Sequence, residues 1–238
     1  MARSAEQNRL ARERARESLV VAAIDVFAER GIDGATIAEI TSRAGVAQGL
    51  VNYHFGGKDQ LILAVVDRWF EMLFGIAHGE GEGATAVAPS PAVLPPPDGR
   101  LAGIIDTVLG MTAHALPLQR VIVALQQQPA TRALFAEAER RHLAEVTAAE
   151  DAVRSIFRER GEADPAVEEI MLRSLLDGIV GQCIIYGDSY PLESARRWVH
   201  RQYGLPAPTT PLQTATVVPE PGAGRGEEPR ARASNDPA

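Results

Sequence analysis

The side chains best suited to recognition chemistry lie in one short run, residues 48–54, with the sequence QGLVNYH. The amides of Gln48 and Asn52 can hydrogen-bond a base edge or a phosphate, and Gly49 lets backbone approach the bases closely. Taken singly, each would be an ordinary exposed polar residue, but the ordered set favours nucleic-acid recognition over that alternative. The side chains that would anchor phosphates are Tyr53, His54 and Lys58.

Two short helices are predicted to position this run. Thr36 and Glu39 form a Thr-x-x-Glu capping box, in which each side chain satisfies a free backbone amide, so a helix begins at about Ile37 and ends near Arg43. Gly45 supplies the sharp turn that follows. The second helix should bury its apolar residues and expose the polar run, which predicts a helix-turn-helix. Those apolar residues are Val46, Leu50 and Phe55.

At these residues, from Ser18 to Leu63, the chain resembles the DNA-binding domain of the TetR family of bacterial transcriptional regulators. A preceding helix, Leu19–Gly31, belongs to the same pattern. Ala47 and Asn52 stand where the family often has Ser or Thr and Tyr, departures that would tune the DNA sequence bound rather than the fold. The residues in register with the family motif are Gly45, Gly49, His54, Phe55, Lys58 and Leu61.

The resemblance implies a role for each matched position. Base contacts would come from Gln48 and Gly49, with Arg43 as a weaker candidate. Asn52 can still reach a phosphate or a base. The implied phosphate contacts are Thr36, Tyr53, His54 and Lys58.

The net charge of -7 over 238 residues looks unfavourable for DNA binding, but its distribution resolves part of the conflict. Residues 1–60 carry eight basic and eight acidic side chains, and the remaining 16 basic and 23 acidic side chains lie beyond. A near-neutral DNA-binding domain predicts weak non-specific affinity and dependence on specific contacts and dimerisation.

Residues 1–17 form an arginine-bearing arm that could reach a groove or the phosphate backbone. Three acidic residues interleave with the arginines at helix-pairing distances, Arg9 and Glu13 being four apart, and they favour a solvated helical extension instead. The arginines are Arg3, Arg9, Arg12, Arg14 and Arg16, and the acids are Glu6, Glu13 and Glu17.

Beyond residue 63 the apolar spacing stays helical, so the predicted fold class is all-α. An N-terminal three-helix helix-turn-helix domain, residues 18–63, would precede a larger helical ligand-binding and dimerisation domain, residues 64–203. Segments rich in proline and glycine at 79–99 and 204–238 are predicted to be a mobile loop and a disordered tail. The predicted body helices cover 59–77, 100–116, 117–128, 130–160, 165–187 and 192–203.

The segment 175–187, LLDGIVGQCIIYG, is apolar on nearly every face, so a single core contact cannot bury it. With the helix that follows, it resembles the family's dimer face, which builds a four-helix bundle across a twofold axis. The alternative is that both helices complete the monomer core. The predicted interface residues are Leu175, Gly178, Ile179, Gly181, Gln182, Ile185, Trp198 and Val199.

A small-molecule pocket among the central helices is also implied by the resemblance, with no cofactor or metal. Residues 52–61, NYHFGGKDQL, look similar to those of some regulators of choline and betaine metabolism, and an aromatic-lined site could bind a quaternary ammonium. His142, in the polar run ERRHLAE, is expected to be exposed. The candidate lining residues, each of which could also be plain core, are Trp69, Phe70, Met72, Met111, His114, Cys183 and Tyr186.

The expected function is therefore a cytoplasmic, ligand-responsive repressor that binds a palindromic DNA operator as a homodimer and is released by a small molecule. The alternative is a helical enzyme or ligand-binding protein whose head no longer reads DNA. An enzyme could use Cys183, the single cysteine, but no motif places a base or oxyanion hole beside it, which favours a buried structural thiol. No apolar run suggests a signal peptide or a membrane span.

Overall fold

Helices make up the regular structure of the residues that the computed structural model describes, which are 2–77 and 94–212. These ranges contain no strand, so the fold is all-α as the sequence predicts. The helices are α1 (Ala2–Gly34), α2 (Ile37–Ala44), α3 (Gly49–Phe55), α4 (Lys58–Ala77), α5 (Pro97–His114), α6 (Leu116–Gln127), α7 (Pro129–Arg141), α8 (Leu143–Glu159), α9 (Pro165–Tyr186) and α10 (Leu192–Gln202).

The N-terminal arm is helical and continuous with α1, which agrees with the extension favoured by its interleaved charges. Arg9 pairs with Glu13 at 2.9 Å, as the four-residue spacing predicts. The helix is broken near its end at Gly31, whose φ of 74° lies in the left-handed region that favours glycine.

One long helix over 130–160 is not observed, because the chain breaks between α7 and α8 at His142. The ring of His142 stacks on Phe70 at 4.7 Å and its Nε2 lies 3.1 Å from Oδ1 of Asp67. These contacts to α4 override the helical propensity of the sequence, and they also make the expectation of an exposed His142 wrong, since its side chain is 20% exposed.

Helix α5 starts at Pro97 rather than at Arg100, since proline is well tolerated in the first turn of a helix. Residues 97–99 therefore belong to a helix and not to the predicted mobile loop. The part of that loop over 79–93 lies outside the described residues.

The first hydrophobic core joins the helix-turn-helix to helices α6 and α7 of the body. Helices α1 to α4 and helices α6 and α7 all contribute buried side chains to it. The predicted boundary between residues 63 and 64 therefore falls inside one packed cluster. Its members include Leu19, Ile40, Val51, Leu61, Phe70, Ile122, Leu125 and Phe135.

A second core lies among α5, α8, α9 and α10, and it is closed by residues 205–212, which we call the strap. Leu205 is only 7% exposed and Leu212 packs against the same core. The prediction of a disordered tail from residue 204 is therefore wrong as far as residue 212, and residues 213–238 lie outside the described part of the chain.

Buried polar side chains of α10 hold the strap in place. Arg196 donates to the Thr210 carbonyl at 2.7 Å, and Nδ1 of His200 lies 2.8 Å from the Pro206 carbonyl. The Leu212 amide donates to the Glu193 carboxylate at 2.5 Å. These bonds offset the entropy lost on ordering a proline-rich segment, which is why composition alone gave the wrong prediction.

Candidate nucleic-acid interface

The capping box of α2 forms as predicted. The Glu39 amide donates to Thr36 Oγ1 at 3.2 Å, and the Thr36 amide donates to the Glu39 carboxylate at 3.1 Å. Hydrogen bonds from Thr36 lower the pKa of Glu39, so the carboxylate stays charged at the positive end of the helix. Gly45 then turns the chain with φ 66° and ψ 30°, which directs α3 away from α2.

Helix α3 buries Val51 and Phe55, which lie four residues apart on one face. Val51 was not among the predicted buried residues, and Val46 and Leu50, which were, are only partly covered. Val51 and Phe55 both belong to the first core, which also contains side chains of α1 and α4.

The opposite side of α3 is exposed and polar. The side chains of Gln48 and Asn52 make no hydrogen bond within the described residues, so their amides are open to a ligand. Gly49 is exposed beside them, and Tyr53 is 62% exposed. The structure therefore brings four of the predicted recognition residues together on one surface.

Lys58 is half-buried and connects α4 to the turn between α1 and α2. Its ammonium donates to the Ala35 carbonyl at 2.7 Å, which ties the start of α4 to the segment between α1 and α2. An ammonium has three donors, so a phosphate contact remains available to Lys58, but the residue also has a structural task.

Arg43 is held against α1 by a two-pronged ion pair. Its guanidinium donates to both carboxylate oxygens of Glu29, at 2.6 and 2.8 Å. This hydrogen bonding lowers the pKa of Glu29 and raises that of Arg43. The pair uses two of the five N–H donors of Arg43, so a base contact would have to come from the remaining donors or from an exchange of partners.

His54 lies at the edge of the exposed face, with its ring 4.9 Å from that of Tyr53 in an edge-on arrangement. Desolvation lowers its pKa, and the positive charges of Arg16 and Arg12 lower it further, which favours the neutral imidazole in the free protein. A neutral His54 can still offer a phosphate a hydrogen bond.

The candidate ligand residues do not gather around one cavity. The first core contains Phe70, and Trp69 and Met72 pack against it. Met111 is buried in α5, and Cys183 is buried in the second core. His114 and Tyr186 are exposed, because they lie at helix ends where the chain turns. Neither of two cavities of about 290 and 460 Å³, both lined by α1, has any of these seven residues in its wall.

Trp69 has an unusual feature among these candidates. Its indole Nε1 is buried and has no hydrogen-bond partner, although its ring packs 4.8 Å from Phe70 and 6.3 Å from Phe135. Buried donors are nearly always paired, so this N–H is open to a water or a ligand.

Cys183 has the environment of a structural thiol. Burial raises its pKa, which keeps the sulfur protonated, whereas a nucleophilic cysteine needs the opposite shift. Among the described residues, no three His, Cys, Asp or Glu side chains are grouped as a metal site would require.

The predicted dimer residues divide into two sets. Ile179 and Val199 face the second core and are buried, so they cannot lie on a subunit surface. The exposed face of α9 and α10 instead includes apolar residues that the prediction omitted: Val167, Ile170, Met171 and Tyr186. The predicted residues that are exposed or half-buried are Leu175, Gly178, Gly181, Gln182, Ile185 and Trp198.

Helix α9 is apolar on its exposed face as well as on its buried face. Within the described ranges, α9 with the turn after it, Pro165–Ser189, is the one segment that is by itself long and apolar enough to cross a membrane, by length and composition, with a mean hydropathy of 1.3. Helices α5 and α6 would reach that length and apolar character only if taken together as one span with a 100° bend. The expectation that no apolar run is long enough for a membrane span therefore does not hold for α9 by these two criteria, although α9 also packs on α5, α6, α8 and α10.

Residues 19–65 match the family model for bacterial regulatory proteins of the tetR family. The chain carries a tetR-family helix-turn-helix domain. Over 69 residues it is 44% identical to the HTH-type transcriptional repressor Rv3405c of Mycobacterium tuberculosis, a match that covers 29% of this chain and 37% of that relative. The tetR-family match thus spans little more than a third of the relative's length.

Solved structures resemble a larger part of the chain. The regulator FadR from Bacillus subtilis, in complex with stearoyl-CoA, has a TM-score of 0.58 and 20% identity, covering 78% of this chain and 95% of FadR. A regulator from Saccharomonospora viridis, in complex with choline, has a TM-score of 0.60 and 17% identity, covering 80% and 95%. At these identities the likeness shows the fold alone, which is a helix-turn-helix head followed by a helical body.

Proposed function

We propose that this protein is a transcriptional regulator that reads an inverted-repeat operator as a homodimer and changes its DNA affinity when a small molecule binds its body. The observation that carries the proposal is the open polar face of α3 in a tetR-family head. Its Gln48 and Asn52 amides have no partner in the described residues, and the capping box and the Gly45 turn fix the helix that presents them.

Dimerisation is supported by the exposed apolar face of α9 and α10. One head contacts too few base pairs for useful specificity, whereas two heads can reach half-sites one helical turn apart. Ile185 is 68% exposed and Trp198 is 44% exposed, which is costly for large apolar side chains unless a second subunit covers them.

The effector is proposed to bind near the open indole N–H of Trp69. Phe70 and Phe135 flank this donor, so an apolar molecule that offers an acceptor oxygen would suit the site. The two related structures hold an acyl-CoA and choline, which shows how widely ligands vary on this fold. Repression is proposed because the relative Rv3405c is a repressor, and a cytoplasmic location follows from action on DNA.

The first test separates base reading from anchoring. Selection from random duplex DNA by the purified protein should enrich an inverted repeat. Gln48→Ala should mainly relax the base preference, whereas Lys58→Ala should weaken binding to every sequence and reduce the salt slope by about one unit. Because Lys58 also bonds the Ala35 carbonyl, circular dichroism must show that the variant is folded. An equal loss of specificity in both variants would contradict the assignment.

The second test addresses the dimer. Ile185→Glu should raise the dimer dissociation constant at least ~30-fold, or about 2 kcal/mol, because it places a charge in an apolar interface. Sedimentation velocity measures this directly. Leu143→Glu is the control, since Leu143 is 58% exposed on α8 and lies outside the proposed interface. An unchanged dimer in the Ile185 variant would place the subunit contact elsewhere.

A further inference from the structure

The N-terminal extension of α1 presents arginines on two opposite faces. Residues four apart share a helix face, so Arg12 and Arg16 continue the face that buries Leu19 and Ala23 further along α1. Arg14 lies between them in sequence and points the opposite way. Arg12, Arg14 and Arg16 are all exposed, but the face that carries Arg12 and Arg16 continues into the buried face of α1.

The Arg16 side chain contacts α3, the second helix of the helix-turn-helix. The carbon at the centre of its guanidinium lies 5.3 Å from the centre of the Phe55 ring, and Phe55 is the last residue of α3. The guanidinium carries five N–H donors, and none of them is hydrogen-bonded to another described group. Both Arg16 and Arg12 act electrostatically on the neighbouring His54, which places their charges beside the exposed end of α3.

The interleaved acids do not neutralise these two arginines. Glu13 and Glu6 pair with Arg9, and Glu17 pairs with Arg68 of α4 at 3.5 Å. Within the described part of the chain, Arg12 and Arg16 have neither an ion-pair partner nor a hydrogen-bond partner. Among the arm's arginines whose side chains the structure describes, Arg9 is therefore the one that pairs with an interleaved acid.

The other cations near α3 each have a partner within the protein. Lys58 bonds the Ala35 carbonyl and keeps two donors, and Arg43 is paired with Glu29. Among the described residues beside α3, the arginines with no ion-pair or hydrogen-bond partner lie on the α1 extension, so they can add phosphate contacts to the one available to Lys58.

We propose that Arg12 and Arg16 are phosphate anchors, so that the DNA interface extends from α3 onto the N-terminal extension of α1, outside the segment shared with the tetR family. This inference rests on the proposed function, because it needs the head to bind DNA. Each guanidinium would donate to the oxygens of one backbone phosphate flanking the bases that α3 reads. These contacts add affinity without sequence preference.

The test compares Arg12→Ala and Arg16→Ala with Arg14→Ala, a matched loss of charge from the opposite face. The probes are a fluorescent duplex of random sequence and the duplex that the wild-type protein enriches. Dissociation constants are measured from about 50 to 200 mM salt, the range in which counterion release is large. Each of the two variants should lower the salt slope by about 0.9 and weaken both probes by the same factor, about fivefold. Arg14→Ala should stay within twofold of wild type.

Three results would overturn the proposal. Unchanged salt slopes in both variants, with a wild-type protein that binds DNA, would leave the proposed function standing and remove the two anchors. Equal losses in all three variants would mean a general effect of charge rather than two placed contacts. A wild-type protein that binds neither duplex would remove the proposed function and this inference together.

A structural role for Arg16 is distinguished by a further variant. Arg16 also borders a cavity that contains the carboxylates of Glu17, Asp67 and Glu71, so its loss could destabilise the fold. Arg16→Lys keeps the charge and should keep the salt slope, while it replaces the guanidinium over the Phe55 ring with an ammonium. If Arg16→Ala unfolds, Arg12→Ala, on an exposed residue, still decides the outcome.

Discussion

Replacing Arg196 with methionine is expected to lower the free energy of unfolding by about 3 kcal/mol, because it leaves a partly buried carboxylate without its main partner. The Arg196 side chain is 5% exposed and donates two hydrogen bonds of 2.6 Å to Asp106. It also holds the strap through the Thr210 carbonyl. Methionine keeps most of the packing, so the loss reports the polar contacts rather than a cavity.

Urea unfolding measures this loss, and Arg197→Met is the control. Arg197 is the next residue, is exposed, and bonds only Ser194 of its own helix. Its replacement should change stability by less than about 0.5 kcal/mol. A loss below 1 kcal/mol for Arg196→Met would mean that solvent reaches Asp106 and replaces the guanidinium.

The same cluster predicts an acid dependence. Burial would raise the pKa of Asp106, but hydrogen bonds from Arg196 and His200 hold it below its ordinary value. The stability it contributes is therefore fully present above the unfolded pKa of about 3.9 and is lost as the pH falls through the lower folded value. In Arg196→Met the folded pKa should rise, so the unfolding free energy should fall less steeply below about pH 4 than in the wild type.

Replacing Phe70 with alanine is expected to lower the free energy of unfolding by about 3–5 kcal/mol, the usual cost of removing a buried ring. Phe70 is 2% exposed and contacts four other rings, those of Trp69, Phe74, Phe135 and His142. These rings come from α4, α7 and the α7–α8 break, so the cavity would open where the head meets the body.

The Phe70 variant also tests whether the helix-turn-helix head unfolds together with α6 and α7. In a Trp198→Phe background, the remaining Trp69 reports on the first core by fluorescence, while circular dichroism reports on all the helices. Both signals should shift to lower urea by the same amount. Leu143→Ala, at an exposed apolar residue, should shift neither by more than about 0.5 kcal/mol. Two separate transitions would contradict a shared core.

The helix-turn-helix was predictable because its determinants are local. The capping box at Thr36, the left-handed Gly45 and the face of α3 each depend on residues within a few positions, and short-range hydrogen bonding fixes them. The resemblance then assigned roles to side chains that spacing alone leaves ambiguous.

The features that escaped prediction depend on residues far apart in the sequence. The break at His142 is set by Asp67 and Phe70, about 75 residues earlier, and the strap is ordered by α10 and by Asp106 of α5. The engagement of Arg43 by Glu29 is likewise a contact between helices. Local patterns carry no information about such partners.

The first core, which includes side chains of α1 to α4 together with α6 and α7, limits how such a protein can be recombined. A hybrid that joined this body to a foreign head at residue 63 would separate the core side chains of α1 to α3 from those of α6 and α7 and put unmatched surfaces in contact. Folded hybrids would have to carry α6 and α7 with the head, or be reselected for fit at the join. The smallest part of this chain that can be exchanged without disturbing its core is therefore larger than the helix-turn-helix segment.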